Sequence, residues 1–240
     1  ELCKLYGIKP TKSKGQNFLI EEDVYDKIVS AAHVKKDDTV VEVGPGLGFL
    51  TLKLAKLAKK VLAVEVDTKI SAFLQTMIKA QSIDNIKIFN NDILKAKGDK
   101  FAKLGKYKIV SNLPYNITSI FLRKFLSLSN KPELIVLMLQ KEVAQRIVAQ
   151  APDMSLLSAS VQFYAQAEIL FEVGRDKFYP APEVDSAVIR IKPMPNRLKS
   201  YEEEKRFFSI LKIGFASKRK MLKNNLSLGL KIDIKKIENI

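Results

Sequence analysis

Three glycines stand at alternate positions, Gly44, Gly46 and Gly48, directly behind Val40-Val41-Glu42-Val43. A β-branched run that breaks into glycine and resumes with leucines at helical spacing (Leu47, Leu50, Leu54, Leu57) reads as strand, tight turn and helix. Without Cβ atoms the turn lets a ligand approach the backbone, and nucleotides or nucleoside-like cofactors are the usual occupants of such a turn. The spacing is G-x-G-x-G. A dinucleotide fingerprint would place its last glycine where Phe49 stands. The pattern therefore points away from a pyrophosphate and toward a nucleoside with no phosphate, the character of S-adenosylmethionine. The alternative is a turn that only reverses the chain.

Further residues suit the same ligand. Glu65 lies about twenty residues past the turn, at the end of an apolar run, where a carboxylate reaches both hydroxyls of a ribose. Asp92 ends the next run and can accept from an adenine amino group; as a cap before Ile93-Leu94 it has an equally good structural use. Ser111-Asn112-Leu113-Pro114-Tyr115-Asn116 is stiffened by Pro114, which fixes its own φ and restricts Leu113. That loop presents Asn112 as an amide acceptor and Tyr115 as a flat ring. Pro180 and Pro182 hold Phe178 and Tyr179 in a second rigid loop. Near the start, Lys12 and Lys14 belong to a basic arm whose lysines suit phosphates, and Gln16 and Asn17 suit a cofactor. Near the end, Lys218-Arg219-Lys220 beside Phe215 reads as a phosphate contact, with a solvated charge cluster as the plain alternative.

Alternating strands and helices must position these groups. Strands are expected over 39–43, 61–66, 86–89, 107–110, 134–139, 169–173 and 187–191. Helices are expected over 21–32, 69–81, 119–128, 141–150 and 156–165, besides the one that follows the glycines. The chain is thus of the α/β class. Gly44, Glu65, Asp92 and Asn112 all fall at carboxyl strand ends, which share one rim in a parallel sheet. The proline-bearing connector 193–200 divides a domain over 1–192 from a helical one over 193–240, with helices over 202–215, 222–230 and 232–237.

Lys and Arg number 41 against 26 acids, a formal charge of +15, which favours a polyanionic partner; a lysine-rich surface of biased composition is the bland alternative. One cysteine, Cys3, permits no internal disulfide, and one histidine, His33, argues against a His-based triad or a zinc site, so no metal is expected. No apolar run reaches the length of a membrane span and no signal peptide opens the sequence; a cytoplasmic monomer is the expectation.

At this point the sequence resembles a known family. Gly-Gln-Asn-Phe-Leu at 15–19, Val-Glu-Val-Gly-Pro-Gly-Leu-Gly at 41–48, Asn-Leu-Pro-Tyr-Asn-Ile at 112–117, Phe-Tyr-Pro-Ala-Pro-Glu-Val-Asp-Ser at 178–186 and Phe-Ala-Ser-Lys-Arg-Lys-Met-Leu-Lys-Asn-Asn-Leu at 215–226 stand in the order seen in ribosomal RNA adenine N6-dimethyltransferases. The resemblance implies a Rossmann-like S-adenosylmethionine-dependent methyltransferase sheet with a small C-terminal helical domain. It also implies methylation of N6 on two adjacent adenosines near the 3′ end of small-subunit rRNA, in an immature subunit. By motif match, Asn17, Leu19, Gly44, Glu65, Asp92 and Asn112 would contact the cofactor, with Gly46 in the same turn. Tyr115 and Phe178 would hold the adenine. The Asn112 side chain and the Leu113 carbonyl would accept from its amino group. The related macrolide-resistance enzymes act on large-subunit rRNA and usually show Ile where Leu113 stands and Asn where Asp185 stands, so this sequence is nearer the small-subunit type. A non-catalytic assembly factor and a nicotinamide-dependent oxidoreductase are the competing classes. The intact glycine turn, acids and amide argue against the first, and the glycine spacing against the second.

Overall fold

The computed structural model describes residues 17–96, 98–195, 198, 200–217 and 219–239. In chain order its elements are β1 (Phe18–Leu19), α1 (Glu22–Ala31), β2 (Thr39–Val43), α2 (Phe49–Leu57), β3 (Lys60–Glu65), α3 (Thr68–Ala80), β4 (Ile86–Asn90), α4 (Gly98–Ala102), β5 (Lys108–Asn112), α5 (Thr118–Leu126), β6 (Leu134–Gln140), α6 (Lys141–Val148), α7 (Leu156–Tyr164), β7 (Ala165–Val173), β8 (Phe178–Tyr179), β9 (Ser186–Pro193), α8 (Tyr201–Gly214), α9 (Leu222–Leu230) and α10 (Ile234–Glu238). Seven strands form one sheet in the order β4-β3-β2-β5-β6-β9-β7. β2 to β6 run parallel, and β9 runs antiparallel to both its neighbours.

The period of two along each strand divides the core into two layers. Val41 and Val43 of β2, Ile109 of β5, Ile135, Leu137 and Leu139 of β6, and Ala187, Ile189 and Ile191 of β9 face Phe121, Leu122 and Phe125 of α5 and Ile147 of α6. The intervening Val40, Val110, Val136, Met138 and Val188 face Val24, Tyr25 and Ile28 of α1 and Leu50 and Leu54 of α2. Covered on both faces, β6 is apolar from Leu134 to Leu139, the run that the sequence gives away most plainly.

Where structure and expectation differ, tertiary pairing explains the difference. β5 continues past Val110 to Asn112 because Ser111 and Asn112 pair with Leu137 and Met138 of β6. β7 begins at Ala165, immediately after α7, because β9 supplies partners as far back as Pro193. The short helix α4 carries no amphipathic signal in five residues. Phe178 and Tyr179 do not form a free loop. They pair antiparallel with Leu19 and Phe18, joining segments that lie far apart in the chain.

The C-terminal helices dock through aromatic rings. Phe207 of α8 stacks on Phe163 of α7 with centroids 4.5 Å apart, and Phe208 stacks on Tyr164 at 5.4 Å. Glu204 accepts the Tyr164 hydroxyl proton. The exposed carbonyls at the end of α8 are met by Asn225 of α9, whose amide donates to Gly214 (2.8 Å) and Ser217 (3.0 Å).

Gly48 shows how tightly the first turn is built. Its φ is +86°, and a Cβ there would sit 2.6 Å from Leu74 Cδ2. Gly105 has φ +65° with nothing near a Cβ. Gly48→Ala is expected to cost about 2 kcal/mol or more, strain plus overpacking, and Gly105→Ala only the strain of about 1 kcal/mol. Urea unfolding midpoints of the two variants check the difference.

Candidate active site

The sheet order reverses between β2 and β5, the switch point where open α/β sheets bind ligands. These two strands pair only at Val40–Lys108 and Val41–Ile109 and then part. The Ser111 hydroxyl spans the gap and donates to the Val43 carbonyl at 2.5 Å. Above this point opens a cavity of about 300 Å³. Its wall includes Asn17, Leu19, Glu42, Gly44, Gly46, Glu65, Asp92, Asn112, Pro114 and Tyr115.

Each wall group is fixed by its element. Gly44, Gly46 and Gly48 all have positive φ, which explains the glycines. A Cβ on Gly44 would meet the Pro114 ring at 3.3 Å, so the glycine turn and the proline loop abut. A Cβ on Gly46 would meet the Phe18 ring at 3.1 Å, so the N-terminal arm packs on the turn. The arm is held by the Tyr25 hydroxyl, which donates to the Leu19 carbonyl at 2.8 Å. Glu65, at the end of β3, accepts from the Asp67 amide at 2.8 Å. Burial pushes its carboxyl above the usual range, against the pull of the Asp67, Gly46 and Val66 amides. Asp92 caps the Leu94 amide at 2.8 Å and also lines the cavity.

Asn112 is the last residue of β5 and half-buried. Among the described residues its carboxamide has no hydrogen-bond partner, so its oxygen is unspent at the cavity wall. Tyr115 opens a 3₁₀ turn, and its hydroxyl shares a proton with the Ser186 hydroxyl at 2.7 Å. Burial raises the Tyr115 hydroxyl pKa and the Ser186 bond works against it.

The expected residues are not all gathered here. Leu113 turns its side chain into the core, and its amide donates to Met138 at 3.2 Å; only its neighbours reach the cavity. Phe178 departs from expectation. It is 3% exposed, packs in the α1–α2 core opposite Leu19 and is not among the residues of the cavity wall. Arg219 and Lys220 are exposed beyond α8. Lys12, Lys14, Gln16 and Lys218 lie outside the described residues. Three contributors escaped sequence reasoning. Glu42 was visible inside the glycine motif but had no assigned use. Ser186 anchors Tyr115. Lys124 of α5 donates to the Leu94 (2.6 Å) and Ala96 (2.5 Å) carbonyls and so ties down the loop that carries Asp92.

In a chain of formal charge +15, the wall of this cavity holds Glu42, Glu65 and Asp92 and no Lys, Arg or His among the described residues. Such a wall repels phosphate and attracts a cation. A nucleoside that is net positive and free of phosphate fits such a wall. S-adenosylmethionine meets all three conditions, and the chain is an S-adenosylmethionine-dependent methyltransferase of the Rossmann-like class. Comparison with known proteins narrows this further. The family of ribosomal RNA adenine dimethylases matches residues 8–237, and the chain belongs to that family.

Among curated relatives, ribosomal RNA small subunit methyltransferase A of Dehalococcoides mccartyi (strain ATCC BAA-2266 / KCTC 15142 / 195) is 45% identical over 233 residues, covering 96% of this chain and 79% of that protein. Its counterpart in Geobacillus thermodenitrificans is 40% identical over 233 residues, covering 94% and 79%. Among solved structures, a dimethyladenosine transferase from Plasmodium falciparum superposes with a TM-score of 0.76 at 30% identity, covering 88% of this chain and 74% of that one. The 23S rRNA methyltransferase ErmE superposes with a TM-score of 0.73 at 26% identity, covering 93% and 88%.

Tyr115→Phe and Ser186→Ala each remove one end of the hydroxyl pair that fixes the Tyr115 ring. Each is expected to cost about 1 kcal/mol, roughly fivefold in turnover, and the double variant no more than either alone. Steady-state methyl transfer measures this, with cofactor titration as control. A parallel loss of cofactor affinity would show that the pair does not act on the acceptor side.

Proposed function

We propose that this chain dimethylates N6 of two adjacent adenosines in the 3′-terminal hairpin loop of small-subunit rRNA, acting as a cytoplasmic monomer on an immature subunit late in its assembly. The observation that carries the reading is the unspent Asn112 carboxamide beside Tyr115, at the edge of an acidic cavity that abuts the glycine turn. The greater identity to small-subunit enzymes than to the large-subunit enzyme supports the choice of RNA.

When bound, S-adenosylmethionine supplies an activated methyl group, and the protein's own residues do the rest. Glu65 would hold the ribose and Asp92 the adenine amino group of the cofactor, while the backbone of the Gly44–Gly46 turn would meet its tail beside Asn17 and Leu19. On the acceptor side, an exocyclic adenine amine is a poor nucleophile because its lone pair is delocalised into the ring. The Asn112 oxygen and the Leu113 carbonyl, accepting from its two protons, favour a pyramidal nitrogen with a localised pair. Catalysis of this kind is positioning plus electrostatics. The target base must leave its stack to enter the cavity. The Tyr115 ring, fixed by Ser186, replaces part of the lost stacking, worth about 1–3 kcal/mol per base.

The basic surface, including Arg219 and Lys220, would track rRNA phosphates, with Lys12, Lys14 and Lys218 adding to it. We assign catalysis to the unit over 1–192 and part of the RNA grip to the helices over 193–240. Incubation with labelled cofactor and immature small subunits, followed by mapping of the modified bases, tests the reading. Label on two adjacent adenosines near the 3′ end is the expected result, and label on large-subunit rRNA instead would overturn it. Tyr115→Ala is expected to cut turnover about tenfold or more while sparing cofactor affinity. RNA affinity is expected to fall steeply with salt, as counterion release requires. A flat salt dependence would reject the phosphate contacts.

A further inference from the structure

The loop after β4 gives the cavity wall four consecutive residues, Asn91 to Leu94, and of these only Ile93 is buried. One buried side chain fixes where such a loop sits, not how its carboxylate is turned. Asp92 uses one oxygen, Oδ1, on the Leu94 amide at 2.8 Å. Its Oδ2 accepts no hydrogen bond among the described residues and is the oxygen left for a ligand. The direction of Oδ2 therefore depends on how firmly Leu94 is held.

Leu94 is held at its other polar end by Lys124, whose ammonium donates to the Leu94 carbonyl at 2.6 Å and to the Ala96 carbonyl at 2.5 Å. The seat of that ammonium is rigid, since Phe121, Leu122 and Phe125 on the same helix are 0% exposed. α5 starts directly after the 3₁₀ turn that carries Tyr115, so Lys124 reaches from the acceptor-side element to the loop of Asp92. Burial pulls the Lys124 ammonium below its ordinary pKa, and the Asp92 charge pulls it back.

We propose that Lys124 is a positioning residue for adenine recognition: by clamping Leu94 it aims the free Asp92 oxygen, and so sets how strictly the cavity selects adenine over a base with a carbonyl in place of the amino group. The proposal rests on the assignment of Asp92 to the cofactor's amino group. A carboxylate accepts from an amino group but meets a carbonyl lone pair to lone pair, so selectivity follows from how fixedly the oxygen is held. A loop without its clamp lets Asp92 turn aside. The amino ligand then loses its hydrogen bond, and the carbonyl ligand escapes its repulsion.

Equilibrium titration of the whole chain with S-adenosylhomocysteine and with S-inosylhomocysteine, which differ at that one group, tests it. The wild type is expected to prefer the adenine ligand about a hundredfold, and Lys124→Met to cut that preference about tenfold. A merely structural loss would weaken both ligands alike and leave their ratio unmoved. Lys124→Gln, whose amide can still donate to a carbonyl, is expected to show the same effect at smaller size, and keeps the test readable should Lys124→Met fail to fold. In Asp92→Ala the preference is expected to be gone already, and adding Lys124→Met should change the ratio no further. A wild-type ratio in both Lys124 variants, or a ratio that Lys124→Met still shifts in Asp92→Ala, overturns the proposal and leaves the cofactor assignment standing. A wild type without preference overturns the role of Asp92 along with it, and a wild type that binds neither ligand overturns the cofactor assignment as well.

Discussion

The cofactor cavity depends on two strands that stop pairing. β2 and β5 share a parallel ladder at Val40 and Val41 and then diverge, because the chain leaves them in opposite directions around the sheet. An open gap between parallel strands would leave backbone groups unmet, which is costly away from water. Ser111 meets one of them with its hydroxyl on the Val43 carbonyl. The glycine turn then leaves β2 on one side of the gap and the proline loop leaves β5 on the other. They meet again at Gly44 and Pro114, with only enough room between them for a glycine. Both loops then line the cavity, together with the end of β3 and the loop after β4.

Charge is partitioned as strictly as space. A chain with a surplus of fifteen positive charges attracts polyanions at long range. A single lysine in the cavity wall would invite phosphate into the place meant for the cofactor. The described wall has none, and its ionisable side chains are carboxyls and a phenol, which cannot supply the positive charge a phosphate needs. The two ligands of a nucleic-acid methyltransferase are an anion and a cation, and this arrangement gives each its own territory. It also separates this site from dinucleotide sites built on similar turns, where helix amides must greet a pyrophosphate.

How much of this was legible in the sequence depends on how local each signal is. β2, the glycine turn and β6 were plain, since β-branched runs and alternate glycines act over a few residues. Gly44, Glu65, Asp92 and Asn112 could be placed on one rim because each ends a strand, and the structure sets all four in one wall. The partners that fix them were not legible. Lys124 and Ser186 act across the fold on groups that carry no matching sequence pattern. The two-residue pairing of β1 with β8 is too short to have a period, so Phe178 read as a loop ring when it is a core ring.

The sequence also breaks its own rules in one place. In β2 the odd and even positions serve the two core layers, and position 42 falls with Val40 on the layer of Leu50, Leu54 and Tyr25. A valine or leucine there would pack, cost nothing in desolvation and stabilise the sheet. The chain has a glutamate instead. The described buried side-chain oxygens without partners are those of Glu42, Thr51 and Ser71. Thr51 lies 3.9 Å from where a Gly48 Cβ would stand, and Ser71 follows Ile70, which lines the cavity. Unmet polar atoms scattered through a protein would indicate a poorly satisfied fold. Of the three, Glu42 is the one that lines the cavity, so its unmet oxygen is the one that lies within reach of a ligand.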